Sequence, residues 1–248
     1  TGVIIVQPKP TDWVAGAETG TFPVLEESAQ YDAFLPDDEV QNLLNKMGMI
    51  SFDALNCVSE SADNAIETLA NRLRALGLSD RGENFLKQKG FIDPRTNKVN
   101  LSDRFTAKMS GTTRSGNSLP AVADTLRLKG AVPENVWPIP AGLADIPTDD
   151  ERWNAYYAEI PQAVKDLGKE FLDYFEISYQ WVALGTSIAS DLREKLKQGP
   201  IQVATLVCPP WSNTEGQPPI AACGCGAGHA HLLYGFAAAK KGIAFKDF

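Results

Sequence analysis

The chain has 248 residues, 44% of them apolar and 22% charged, an ordinary globular balance that excludes a disordered or fibrous protein. Its formal charge of -8, from 31 acidic against 23 basic side chains, supplies no cationic footprint for nucleic acid or anionic lipid. No apolar run approaches the roughly 20 residues of a membrane-spanning helix, and the opening TGVIIVQPKP lacks the basic flank and apolar centre of a signal peptide, so neither nucleic acid nor membrane is expected as a partner.

Residues 1–45 read as an arm. One β-like run, Val3 to Val6, precedes Pro8, Pro10, Gly16, Gly20, Pro23 and Pro36, and this punctuation predicts a strap lying over a larger body, with the capacity to join a larger assembly. Thr1, standing where an initiator methionine would, is expected of a chain that is processed, trimmed or part of a longer product. From Cys57 the pattern turns helical: Ala62, Ala65, Ile66, Leu69, Leu73 and Leu76 recur at three- and four-residue spacing as one apolar stripe that Gly77 ends. Asn56 directly before it is a favoured N-cap residue, which predicts Cys57 in the first turn.

A second helix is predicted from Pro120 to Lys129, with Gly130 as terminator, and the proline-rich residues 131–142 must then turn or run extended. Between 151 and 183, Ile160, Val164, Leu167, Phe171, Tyr174 and Phe175 keep helical spacing after Pro161 and are assigned to the core. Ser187 to Gln198 is a further helix, ended by Gly199 and Pro200. The period then changes, and Ile201 to Val207, Ala230 to Phe236 and Ile243 to Phe248 are short β-rich runs. Helices first and strands last predict an α+β fold, with a helical lobe over 46–184 and a β-rich lobe over 185–248.

A thiol in the first turn of a helix faces unpaired amides and the positive end of the helix dipole, which favour thiolate over thiol. Cys57 is therefore a candidate nucleophile, set against its plainer reading as a small buried apolar side chain. Further landmarks follow in order. CVSESADNAIE, from Cys57 to Glu67, resembles the nucleophile helix of the papain-like cysteine peptidases, and LSDRF, from Leu101 to Phe105, is similar to their Leu-Ser-Glu-Gln segment. Gly116-Asn117 stands where that family has a Gly-Gly pair, Gly130 where it has a helix-ending glycine, and Trp137-Pro138 where it has Tyr-Pro. LKQGPIQVA, from Leu196 to Ala204, resembles the family's Gly-Pro-Val-Ser-Val strand entry, and HAHLLYGF, from His229 to Phe236, its histidine strand.

The resemblance spans residues 50–248 and implies a two-lobed papain-like fold with a cleft between the lobes. It implies hydrolysis of a peptide or isopeptide bond in a peptide or protein substrate, without a cofactor. Cys57 would be the nucleophile and His229 the general base. Asp247, in Phe245-Lys246-Asp247, matches the family's imidazole-orienting asparagine, and a carboxylate can fill that role. Gly116 and Asn117 would form the wall against which a substrate backbone lies extended.

The chain departs from the pattern at three places. Ser51 replaces the glutamine that donates to the oxyanion, leaving Ser51, Asn45 or Asn56 as candidate donors. Val58 replaces the aromatic after the nucleophile, and Glu60 puts a carboxylate one turn on, where it would raise the thiol pKa if it faced the site. The chain also stops at Phe248, before the family's last strands. These departures favour an alternative, a scaffold of the same fold with little or no peptidase activity, serving as a structural component of, for example, a phage particle.

Near the end, Cys223, Cys225, His229 and His231 fall within nine residues. Thiolates and imidazoles suit zinc, but C-x-C followed by H-x-H is not a usual zinc spacing, so no metal is assigned. In a strand His229 and His231 would share one face, with His231 structural. Cys208 remains a pairing candidate for Cys223 or Cys225.

Overall fold

The computed structural model describes residues 3–4, 31–36, 52–182, 188–207, 227–239 and 242–247. Seven helices precede three strands among these residues: α1 (Cys57–Leu76), α2 (Asp80–Gln88), α3 (Asp103–Met109), α4 (Leu119–Lys129), α5 (Asp149–Tyr156), α6 (Gln162–Phe171), α7 (Ile188–Leu196), then β1 (Ile201–Val207), β2 (Ala227–Ala239) and β3 (Gly242–Asp247). The strands form one antiparallel sheet in the order β1-β2-β3, and the fold class is α+β.

Helix α1 is the centre of the structure, in contact with α3, α4, β1 and β2. It begins at Cys57 and stops at Gly77, whose left-handed φ of 100° ends the helix while its amide donates to the Arg74 carbonyl. Two details differ from the sequence reading. Asn56 precedes the helix but its side chain caps nothing, because its amide is drawn to Glu60 and Tyr156 instead. The apolar stripe is not the most buried side either: Leu76 at its end is 60% exposed, whereas Asp63, Asn64, Glu67, Thr68 and Asn71 are buried.

Two of those polar residues, Glu67 and Asn71, are accommodated because they bond to chain that has no regular partner of its own. Glu67 accepts from the Leu101 amide at 2.5 Å, and Asn71 accepts from the Val99 amide at 2.8 Å while donating to the Phe34 carbonyl at 3.1 Å. Thr106 donates to Asp63 at 3.1 Å. Burial raises the pKa of both Asp63 and Asp103 well above the ordinary carboxylate range, which favours their protonated forms.

Apolar packing surrounds this row. One cluster joins Cys57, Val58 and Ala62 of α1 to Phe85, Leu86, Phe91, Val99, Leu101, Val122, Leu126, Phe171 and Ala230. Its aromatic end stacks Phe85 on Tyr174 at 4.1 Å and sets Phe171 against Phe91 at 5.2 Å. These aromatics pack into the core as expected, but the 151–183 region is not one helix. Pro161 separates α5 from α6, and Tyr174 and Phe175 follow the end of α6.

Arg104, within the LSDRF segment, is also buried. It donates to the backbone carbonyls of Tyr156 at 2.6 Å, Pro138 at 2.8 Å and Ala155 at 2.8 Å, and lies over the Trp137 ring at 4.4 Å. It thereby ties α3 to the end of α5, the role a planar, multi-donor guanidinium fits best.

Candidate active site

The turn that delivers Cys57 is strained and clamped. Leu55 has a φ of 57°, a left-handed conformation that costs a branched side chain about 1–3 kcal/mol. Three side chains hold it there. Asp53 accepts from the Leu55 amide at 2.8 Å, and Tyr157 donates its hydroxyl to the Ala54 carbonyl at 2.6 Å. Asn56 donates to Glu60 and to the Tyr156 hydroxyl, both at 3.0 Å. Cys57 follows as the first residue of α1, with 7% of its surface exposed.

These bonds bear on two sequence expectations. Both side-chain amide protons of Asn56 are engaged, by Glu60 and the Tyr156 hydroxyl, so its side chain has no further N–H to offer an oxyanion. Glu60 is held by Asn56 on the tyrosine side of the helix, where its charge helps raise the pKa of Tyr156 and Tyr157, though burial is the larger cause for both. Asn45 and Ser51, the other two oxyanion candidates, lie outside the described residues.

The histidine strand packs across the first half of α1. Ala230 shares a packed cluster with Cys57, Val58 and Ala62, and Gln202, on the neighbouring β1, donates to the Val58 carbonyl at 2.7 Å and to Ser61 Oγ at 2.8 Å. Gln202 is paired with Leu232, so the even-numbered residues of β2 face the helix and His229 and His231 share the other face. Their rings meet edge to face at 4.5 Å, and His231 Nε2 lies 2.8 Å from Thr205 Oγ1. His231 is thus buried and tied to the neighbouring strand.

His229 is half-buried, and its Nδ1 has no hydrogen-bond partner among the described residues. Burial first, then the adjacent His231, lower its pKa from 6.5 to about 4. The imidazole is therefore neutral near pH 7, the form a general base requires. The Asp53 carboxylate acts in the opposite direction, which places the ring within electrostatic reach of the turn that delivers the thiol.

β3 ends with the Asp247 backbone opposite Leu233, four residues further along β2 than His229. The Asp247 side chain lies outside the described residues, as do Cys208, Cys223 and Cys225. Among the described residues, no group of three or more histidine, cysteine or acidic side chains is arranged to hold a metal ion. No helix among them is long and apolar enough to cross a membrane.

The predicted substrate wall is a rigid turn. Gly116 has a φ of 88° and closes a turn with Thr113 through amide–carbonyl bonds of 2.8 and 3.1 Å. Asn117 is buried, donating to Ser110 Oγ at 2.8 Å and Thr112 Oγ1 at 3.1 Å and accepting from the Ser118 amide at 2.8 Å. Its carbonyl accepts from the Ile4 amide at 2.5 Å, and Val3 forms a parallel bridge with Asn117.

Sequence reasoning missed Gln202, Thr205, Asp53 and the tyrosine pair. Gln202 and Thr205 carried a local signal, as the two polar residues of an otherwise apolar strand. The others act through partners far along the chain. Comparison with family models, with curated proteins and with solved structures finds no match to this chain.

Proposed function

We propose that the chain is a papain-like cysteine peptidase that hydrolyses a peptide bond in a cleft between its helical part and its β-rich part. The observation that carries this reading is the meeting of two elements, the first turn of α1, which begins with Cys57, and β2, which packs on it through Ala230; His229, the neighbouring residue, stands on the opposite face of β2, so the reaction requires its ring to turn past the strand edge to the thiol.

In the proposed reaction the Cys57 thiol gives its proton to the neutral His229 imidazole as sulfur attacks the substrate carbonyl carbon. The imidazolium then returns that proton to the leaving amine as the C–N bond breaks, leaving a thioester. Water, deprotonated by the same imidazole, cleaves the thioester and restores the thiol. Asp247 retains its proposed part in orienting His229 by its place after the histidine strand. Hydrolysis of a panel of peptides by the wild type and by Cys57→Ala tests the reading: loss of turnover in the variant is expected, and equal rates would overturn it.

A second reading is an assembly component, of a phage particle for instance, that keeps a papain-like scaffold without turnover. The small exposure of Cys57 and the engagement of both Asn56 amide protons favour it. Alkylation near neutral pH separates the two, since a fast reaction at Cys57 that slows in His229→Gln belongs to a peptidase and an inert thiol to a scaffold.

A further inference from the structure

A side chain of β1 fastens the sheet that carries His229 to the helix that carries Cys57. Gln202 donates both amide protons into the start of α1, one to the Val58 carbonyl at 2.7 Å and one to Ser61 Oγ at 2.8 Å. Ser61 in turn donates its hydroxyl to the Cys57 carbonyl at 2.7 Å, so the contact reaches the main chain of the candidate nucleophile. Val58 and Ser61 are buried, at 0% and 2% exposure, and bonds made there are shielded from the competition of water. On the sheet side Gln202 is paired with Leu232, and Thr205, three residues along the same strand, is paired with His229. Three residues of strand span about 10 Å, a short arm between this clamp and the imidazole. The packing beside it is apolar, with Ala230 against Cys57, Val58 and Ala62. Apolar burial is non-directional, and a side chain as small as alanine does little to oppose sliding of a strand along a helix. Hydrogen bonds have a set length and angle, and they fix the register that such packing leaves free.

We propose that Gln202 is a positioning residue: its two bonds set where β1, and with it β2, lies on the first turns of α1, and through this they set the approach of His229 to Cys57. With the strand held, only the His229 ring has to move to meet the thiol. The inference rests on the peptidase reading for what is positioned, and on the geometry of Gln202 alone for the clamp. Reacting groups displaced by about 1 Å lose roughly a hundredfold in rate, and that is the scale of slip the two bonds prevent.

Gln202→Met tests this, because it keeps the length and volume of the side chain and removes both donors. The carbonyls of Cys57 and Val58 keep their bonds within the helix, so the variant leaves neither without a partner. Two measurements are made on the full chain. The first is a double-mutant cycle with Ser61→Ala, read by unfolding in urea. Gln202→Met should raise the unfolding equilibrium constant about fivefold more in the wild type than in the Ser61→Ala background, the equivalent of the one hydrogen bond the two residues share. The second is the rate of Cys57 alkylation by iodoacetamide at pH 7, with and without His229→Gln. Gln202→Met should slow it about tenfold where His229 is present and leave it unchanged in His229→Gln. A residue that merely supports the fold gives the opposite sign, since loosening the structure around a thiol that is 7% exposed speeds alkylation in both backgrounds. Additive effects in the cycle overturn the proposal. Where His229→Gln slows the wild type, an unchanged or faster rate in Gln202→Met overturns it equally. A wild-type rate indifferent to His229→Gln, together with coupling in the cycle, refutes the peptidase alone and leaves the clamp standing.

Discussion

Alanine at Gly130 should destabilise the protein by about 4 kcal/mol. Gly130 follows α4 with a φ of 72° and a ψ of -163°, a backbone region that is essentially glycine's own, and forcing another residue into it costs roughly 1–3 kcal/mol. A Cβ there would also stand 1.7 Å from the Gly168 carbonyl oxygen on α6 and 2.7 Å from its carbon. Neither atom is the end of a flexible side chain, so α6 must shift, and such overpacking costs about another 1–3 kcal/mol. Gly168 has little room to move, since its own Cβ position lies 2.8 Å from the Lys129 carbonyl oxygen and 2.9 Å from Phe105 Cζ. Gly77→Ala supplies the control, because Gly77 also has a positive φ, of 100°, but nothing lies within 4 Å of its missing Cβ. That variant should lose only about 1 kcal/mol. Equilibrium unfolding in urea, read by far-ultraviolet circular dichroism, gives both values from the midpoints. A loss below about 1 kcal/mol for Gly130→Ala, or losses equal to those of Gly77→Ala, would refute the claim that close backbone approach between α4 and α6 constrains this position.

Two further predictions concern pH. For Asp63 and Asp103 the folded-state pKa is raised, so the native state holds protons that the unfolded chain releases, and stability is present at low pH and declines as pH rises through and above the ordinary carboxylate range. Asp103→Asn should flatten that decline and raise the neutral-pH thermal midpoint, the equivalent of about 1 kcal/mol, because an amide takes the place of a carboxyl without the cost of holding a proton that the unfolded chain releases; a midpoint unchanged or lowered at pH 7–8 would contradict the raised pKa of this pair. His229 has the opposite sign for a base: its pKa of about 4 lies below the ordinary 6.5, so the unfolded chain takes up the proton first and stability falls as pH drops from about 6.5 towards 4. His229→Gln should weaken the pH dependence of the unfolding midpoint within that window, and an unaltered slope would remove the claim that burial keeps this ring neutral.

How much was legible in the sequence depended on how far away each residue's partner lies. The start of α1 was readable from Asn56 and Cys57 and its end from Gly77, because helix termini are set by neighbours. The actual work of Asn56 was not, since its second partner is Tyr156, a hundred residues on. The apolar stripe misdirected attention for a related reason: Glu67 and Asn71 look like solvent residues until the amides of Leu101 and Val99 are brought to them. The helices α2 and α3 were passed over because they are short and polar, with Asp80, Arg81, Glu83 and Lys87 in one and Asp103, Arg104 and Lys108 in the other. The strands were readable, because each is a β-rich run bounded by glycine or proline. At the candidate site, the placement of Cys57 and the shared face of His229 and His231 followed from helix and strand periodicity, whereas the strained turn at Leu55 and the seat of Val3 against Gly228 depend on tertiary contacts.

Helix α1 grips its surroundings largely by their main chain. Glu67 and Asn71 bind the amides of Leu101 and Val99, and Asn71 also holds the carbonyl of Phe34. An amide or carbonyl is the same whichever side chain it carries, so these bonds constrain α1 alone, and Val99 and Leu101 are constrained instead by the burial of their own side chains. In a saturation library scored for folded protein, Glu67 and Asn71 should tolerate almost no replacement, while the exposed Pro94 in the adjoining loop accepts many. In the loop that α1 holds in place, sequence can thus drift in the chain before the buried anchors Val99 and Leu101 without loosening the helix at its centre.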